Sequence, residues 1–99
     1  MLKISDYLYV DKKYIVRQIV EDILKSIAPY LDIDYLNIRN DAHVYVEEDH
    51  TGKDRLFLVK GWKDFKGNWH EESSKIISEN ESDINKYHTA YNLMQLYKI

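Results

Sequence analysis

The residues best able to do chemistry in this chain are four histidines and a scatter of carboxylates. His43, His50, His70 and His88 are widely spaced. The string HEESS at 70–74 lacks the second histidine of HExxH, where two imidazoles on one helical face hold zinc. In HVYVEEDH, 43–50, strand alternation sends His43 and Glu47 to one face and Glu48 and His50 to the other, so no tetrahedral set follows. With no cysteine, thiolate metal sites are excluded as well. Asp64-Phe65-Lys66, with Asp49 and Asp54 upstream, has the acid-x-Lys spacing of nucleases in which two carboxylates hold Mg²⁺ beside a lysine. Here it falls next to a glycine turn and not within an apolar strand. No Gly-rich phosphate loop, nucleophile elbow or Ser/His/Asp order is present. The residues therefore point to a non-enzyme with no cofactor and no metal.

Binding chemistry is better represented. GWKDFKGNWHEE, residues 61–72, holds Trp62, Phe65 and Trp69. These aromatics either close the end of a small core or form a partner-binding patch, since tryptophan is enriched at interface hot spots. Residues 71–83 then gather Glu71, Glu72, Glu79, Glu81 and Asp83 against Lys75 alone, more negative charge than the chain's net −3. That segment is either a solvated loop with a helix start or an electrostatic contact for a basic partner. Lys60, Lys63 and Lys66 flank the aromatics and supply the alternative, a nucleic-acid contact. On a regular strand, however, Lys60 and Lys66 face one way and Lys63 the other. Tyr87, Tyr91 and Tyr97, three of nine tyrosines, read as core edge, because a stacking platform wants interleaved basic residues.

The elements that must position these residues follow from periodicity. Residues 12–28 predict an amphipathic helix with Ile15, Val16, Ile19, Val20, Ile23, Leu24 and Ile27 on its apolar half, Asp11 as N-cap and Pro29 as terminator. Residues 33–39 and 42–48 alternate around Asn40–Asp41 and predict a hairpin. A third strand is expected at 55–60, where four apolar residues run in succession. The next turn is open between two registers. A two-residue Gly67–Asn68 turn sets Lys66 against Trp69, whereas a four-residue loop from Asp64 to Gly67 sets Trp62 against Trp69. Residues 82–97 predict a second helix capped by Ser82, or earlier by Ser78, with Ile84, Tyr87, Ala90, Tyr91, Leu93, Met94 and Tyr97 on its apolar arc.

The fold class is therefore α+β: an antiparallel three- or four-stranded sheet with an N-terminal and a C-terminal helix packed on one face, α-β-β-β-(β)-α, as a single domain over 1–99. The order resembles that of double-stranded RNA-binding domains, whose last helix opens with a phosphate-gripping lysine motif. The equivalent stretch here, SENESD at 78–83, is acidic, so the resemblance is one of topology and carries no residues over.

Length and composition bound the rest. At 99 residues, 44% apolar and 31% charged, the chain suits one modest core. It has no 18-residue apolar run and no signal-peptide pattern at its start, and it is read as cytoplasmic with no membrane partner. Eleven lysines against three arginines suggest AT-rich coding DNA, as in a phage or other mobile element. The expectation for function is a small interaction protein that binds a basic protein surface through Trp62, Phe65, Trp69, Glu71, Glu72, Glu79, Glu81 and Asp83. Inhibition of a nucleic-acid-handling host protein is its specific form. Self-association into a homodimer is a further expectation, because the arc on 84–97 is broad for one sheet face.

Overall fold

A computed structural model describes residues 4–36 and 41–99, with side chains from residue 12 onward. The first helix, α1, runs Ile4–Ile27. It starts seven residues before the expected Asp11 cap, so Asp11 lies within the helix and not at its start. Nothing in 4–11 breaks a helix, and DYLYVD carries the pattern through. Pro29 ends it as expected, and Leu31 N–H closes the following turn on the Ala28 carbonyl at 3.1 Å.

Over its described part, 33–36, the strand predicted at 33–39 is not one. Ile33–Leu36 forms a single 3₁₀ turn, η1, and residues 37–40, including Asn40 of the predicted turn, lie outside the described residues. The alternation that suggested a strand serves a short helix instead: Ile33 and Leu36, three apart, are both buried. Asp32 initiates the turn by accepting from the Asp34 N–H at 2.9 Å.

Three antiparallel strands follow in the order β1-β2-β3: β1 Ala42–Glu48, β2 Asp54–Lys63 and β3 Trp69–Ser78. The sheet is thus completed by the 69–78 segment, the optional fourth strand of the sequence reading. Both hairpins turn the same way. Asp49 N–H bonds to Lys53 C=O and Asp64 N–H to Asn68 C=O, each at 2.9 Å, around three-residue tips. In both, the aspartate carboxylate accepts two further backbone N–H groups, from Thr51 and Lys53 in the first and from Lys66 and Asn68 in the second. Gly67 takes a φ of 85°, a conformation that a side chain resists. The resulting register pairs Trp62 with His70 and Lys63 with Trp69, which is neither of the two expected.

The last helix, α2, is Glu81–Tyr97. Asn80, not Ser82 or Ser78, is its cap, accepting from the Ser82 N–H at 2.8 Å. Ser78 instead braces the cap: its hydroxyl accepts from Asn80 N–H and donates to Asp83. At the other end Lys98 takes a left-handed conformation, and the N–H groups of Lys98 and Ile99 return to Gln95 and Met94.

Both helices serve one core. Val16, Val20, Leu24 and Ala28 of α1 and its exit join Ile84, Tyr87, Ala90 and Met94 of α2 and Val44, Leu56 and Leu58 of the sheet. The contact is layered. α2 lies on the sheet, where the Tyr87 hydroxyl donates to the Val44 carbonyl at 3.3 Å, and α1 packs chiefly on α2. The expected stripe on α1 is therefore too wide. Ile15 and Ile19 are 54% and 44% exposed, because α2 covers only a narrow seam of the helix. Among the described residues no helix is long and apolar enough to cross a membrane.

Candidate functional site

Among the described residues the helices lie on one side of the sheet and none covers the other face. Residues paired across antiparallel strands share a face. The free face therefore receives His43, Tyr45 and Glu47 from β1, Phe57, Val59 and Lys63 from β2, and Trp69, Glu71 and Ile76 from β3. Four of these form a connected aromatic layer. Tyr45 stacks on Phe57 with ring centroids 5.5 Å apart, His43 lies 5.4 Å from Tyr45, and Trp69 meets His43 edge-on at 5.2 Å. Val59 is only 2% exposed although it lies outside the main core cluster, and it is paired with His43 of the layer.

Gly61 makes the layer possible. A Cβ there would collide with the His70 carbonyl and come within 2.7 Å of the Trp69 indole, so only glycine lets the ring cross β2. A bulge places the extra residue, Glu72, between the pairs Gly61–Glu71 and Lys60–Ser73. A second bulge lies further along β3, and the pair twists this edge strand away from simple strand pairing.

The carboxylates on this face are Glu47 and Glu71, with Lys63 beside Trp69. The Tyr45 hydroxyl donates to Glu47 at 3.1 Å. Burial raises the Tyr45 pKa, and Glu47 and Glu71 add to the effect. Burial also lowers the His43 pKa, with Glu71 opposing. Arg55, paired with Glu47 across the strands, turns away to bind Asp49 at 2.9 Å and Glu79 at 3.1 Å.

The residues singled out in the sequence disperse. Trp69 and Glu71 reach the free face. Trp62 lies on the helix side beyond the helices, stacked on His70 at 4.3 Å. Phe65 stands at the hairpin tip, 95% exposed. Glu71 and Glu72 are separated from Glu79 by the length of β3, about 23 Å at strand rise. Glu79 is bound to Arg55, Asp83 accepts from Ser78, and Glu81 opens α2, so the acidic segment is two clusters and not one patch. Lys60 points to the helix side, Lys63 to the free face beside Trp69, and Lys66 sits over the Phe65 ring. Tyr87 is core, its pKa pushed up to about 12 by burial, with Tyr91 stacked on it. Of the α2 arc that suggested self-association, Tyr91 is exposed while Ile84, Tyr87, Ala90, Leu93, Met94 and Tyr97 join or pack against the core.

The catalytic patterns separate as well. Asp49 and Asp64 hold opposite ends of β2 and spend their carboxylates on loop N–H groups. The Thr51 hydroxyl and Lys53 N–H hold the Asp49 pKa down at about 2, and His70 and Asn68 lower that of Asp64. His70 Nε2 lies 2.8 Å from Asp64 Oδ2. No group of three or more potential metal ligands comes together among the described residues.

Sequence reasoning missed His43, Tyr45 and Phe57 as site residues. The signal was present: 43, 45, 57 and 59 alternate with the core positions 44, 56 and 58, and three of the four are aromatic rings. Comparison with protein-family models, curated proteins and solved structures finds no match to this chain.

Proposed function

We propose that this is a small interaction protein that docks a basic protein surface on the helix-free face of its sheet. The observation that carries this reading is the layer of partly buried rings from His43, Tyr45, Phe57 and Trp69, bordered by Glu47 and Glu71. Aromatic faces attract cations through their quadrupole, and guanidinium groups stack on them best, while flanking carboxylates take the N–H donors. Flat rings on a rigid sheet lose little entropy on contact. The partner in its specific form is a nucleic-acid-handling protein whose phosphate-binding surface this face occupies, which makes the chain an inhibitor of the kind a mobile element encodes.

The test is a titration with an arginine-rich model peptide, followed by amide NMR over a salt series. Shifts should centre on residues 43–47, 57–61 and 69–71, and affinity should fall as salt rises. Trp69→Ala leaves every charge in place and should still weaken binding several-fold. Shifts confined to Glu79–Asp83, or equal binding by Trp69→Ala, contradict the reading.

A further inference from the structure

The opposite side of the sheet carries a second, chemically inverse feature. Where α1 ends at Pro29, its exit and η1 overhang β2 and β3 and leave a groove of about 440 Å³. Its lining includes Tyr30, Tyr35, Leu58, Lys60, Ser73 and Lys75. Among the described residues no carboxylate lines it, in a chain whose net charge is −3. We propose that this groove binds a free mononucleotide, with the phosphate on Lys60 and Lys75 and the base against tyrosine.

The geometry supports each half. Leu58 pairs with Lys75 and Lys60 with Ser73, so the two lysines rise from adjacent strands on one face with a serine beside them. Lys75 Nζ lies 5.3 Å above the Tyr30 ring, which holds the ammonium in place while leaving N–H donors for phosphate oxygens. Tyr30 is 48% exposed, so its ring has free surface for a base, and buried Leu58 contributes an apolar floor. The volume lies within the usual range of small-ligand sites, roughly 300–1,000 Å³. A strand of nucleic acid would need a continuing basic track. Beyond Lys60 this face instead continues to the Trp62–His70 stack, and Tyr35 also lines a separate cavity with Asp32, Asp34 and Asp41. The groove therefore suits one nucleotide and not a polymer.

The experiment is calorimetric and NMR titration with adenosine 5′-monophosphate, adenosine, inorganic phosphate and a short single-stranded oligonucleotide. The monophosphate should shift amides at 30, 35, 60 and 73–75, and adenosine and phosphate alone should bind at least about tenfold more weakly. Lys60→Gln and Lys75→Gln should each weaken it about tenfold, the loss of one charge-assisted hydrogen bond. Both side chains are exposed, so the melting temperature should be unchanged and serves as the folding control. No binding of the monophosphate, shifts elsewhere, full affinity in either lysine variant, or tighter binding of the oligonucleotide overturns the proposal.

Discussion

At the residue scale, two carboxylates show how environment assigns roles to like groups. Asp49 is a keystone: its oxygens hold Thr51, Lys53 and Arg55. Its folded pKa of about 2 lies below the ordinary 3.8, so its stabilisation is complete above about pH 4 and is lost as pH falls toward 2. Asp49→Asn should lower the melting temperature at pH 7, and its difference from the parent should shrink on acidification through that window. Glu71 acts through the field it places on His43. It opposes the lowering that burial imposes, so removing its charge in Glu71→Gln should drop the His43 pKa further, read from the imidazole shifts in an NMR titration. An unchanged or higher value would separate Glu71 from the aromatic layer. Because the folded pKa of His43 is depressed, its contribution is lost as pH falls below about 6.5, where the unfolded chain takes up the proton more readily.

At the element scale, β2 is the strand that separates two environments. Leu56 and Leu58 enter the helix-side core, Val59 pairs with His43 of the aromatic layer, and Gly61 gives way to Trp69. The run of apolar residues at 56–59 did signal a strand covered on both faces, but the second cover is a sheet of rings and not a helix. Gly61→Ala tests this directly. The added methyl meets both the His70 backbone and the indole, so chemical denaturation should show a loss of about 1–3 kcal/mol, against the near-neutral change usual for an open strand glycine. Tryptophan fluorescence should shift with it as the Trp69 ring is displaced. The hairpins are the counterpart: each Asp-x-x-Gly tip is determined locally by one carboxylate and one positive-φ glycine, DHTG in one and DFKG in the other.

At the scale of the whole molecule, the layering of sheet, α2 and α1 decides which apolar residues matter. Leu24 is 1% exposed and Ile19 44%, although helical periodicity places both in the same stripe. Leu24→Ala should cost about 2–5 kcal/mol, as deletion of a filled core position does. Ile19→Ala should cost well under half as much in the same denaturant experiment. Equal losses would mean that α1 seats on α2 along a different line. The same layering leaves two faces with opposite chemistry: aromatic and acidic away from the helices, basic and hydroxyl-rich beneath the exit of α1.

The α+β class, the bodies of α1 and α2, the core strand at 56–59 and the stop at Pro29 were all legible in the chain, because each depends on local periodicity or on one residue's backbone limits. The strand expected at 33–39 was not, since a three-residue spacing of Ile33 and Leu36 suits a 3₁₀ turn as readily as alternation suits a strand. The candidate site was legible only in part. Trp69 and Glu71 stood out by type, but their union with His43, Tyr45 and Phe57 depends on strand register, and one residue of slip in β3 would send Trp69 and Glu71 to the other face. Register was set by a three-residue tip and two bulges. Local composition determined what the elements are; only their pairing in three dimensions determined which side chains meet.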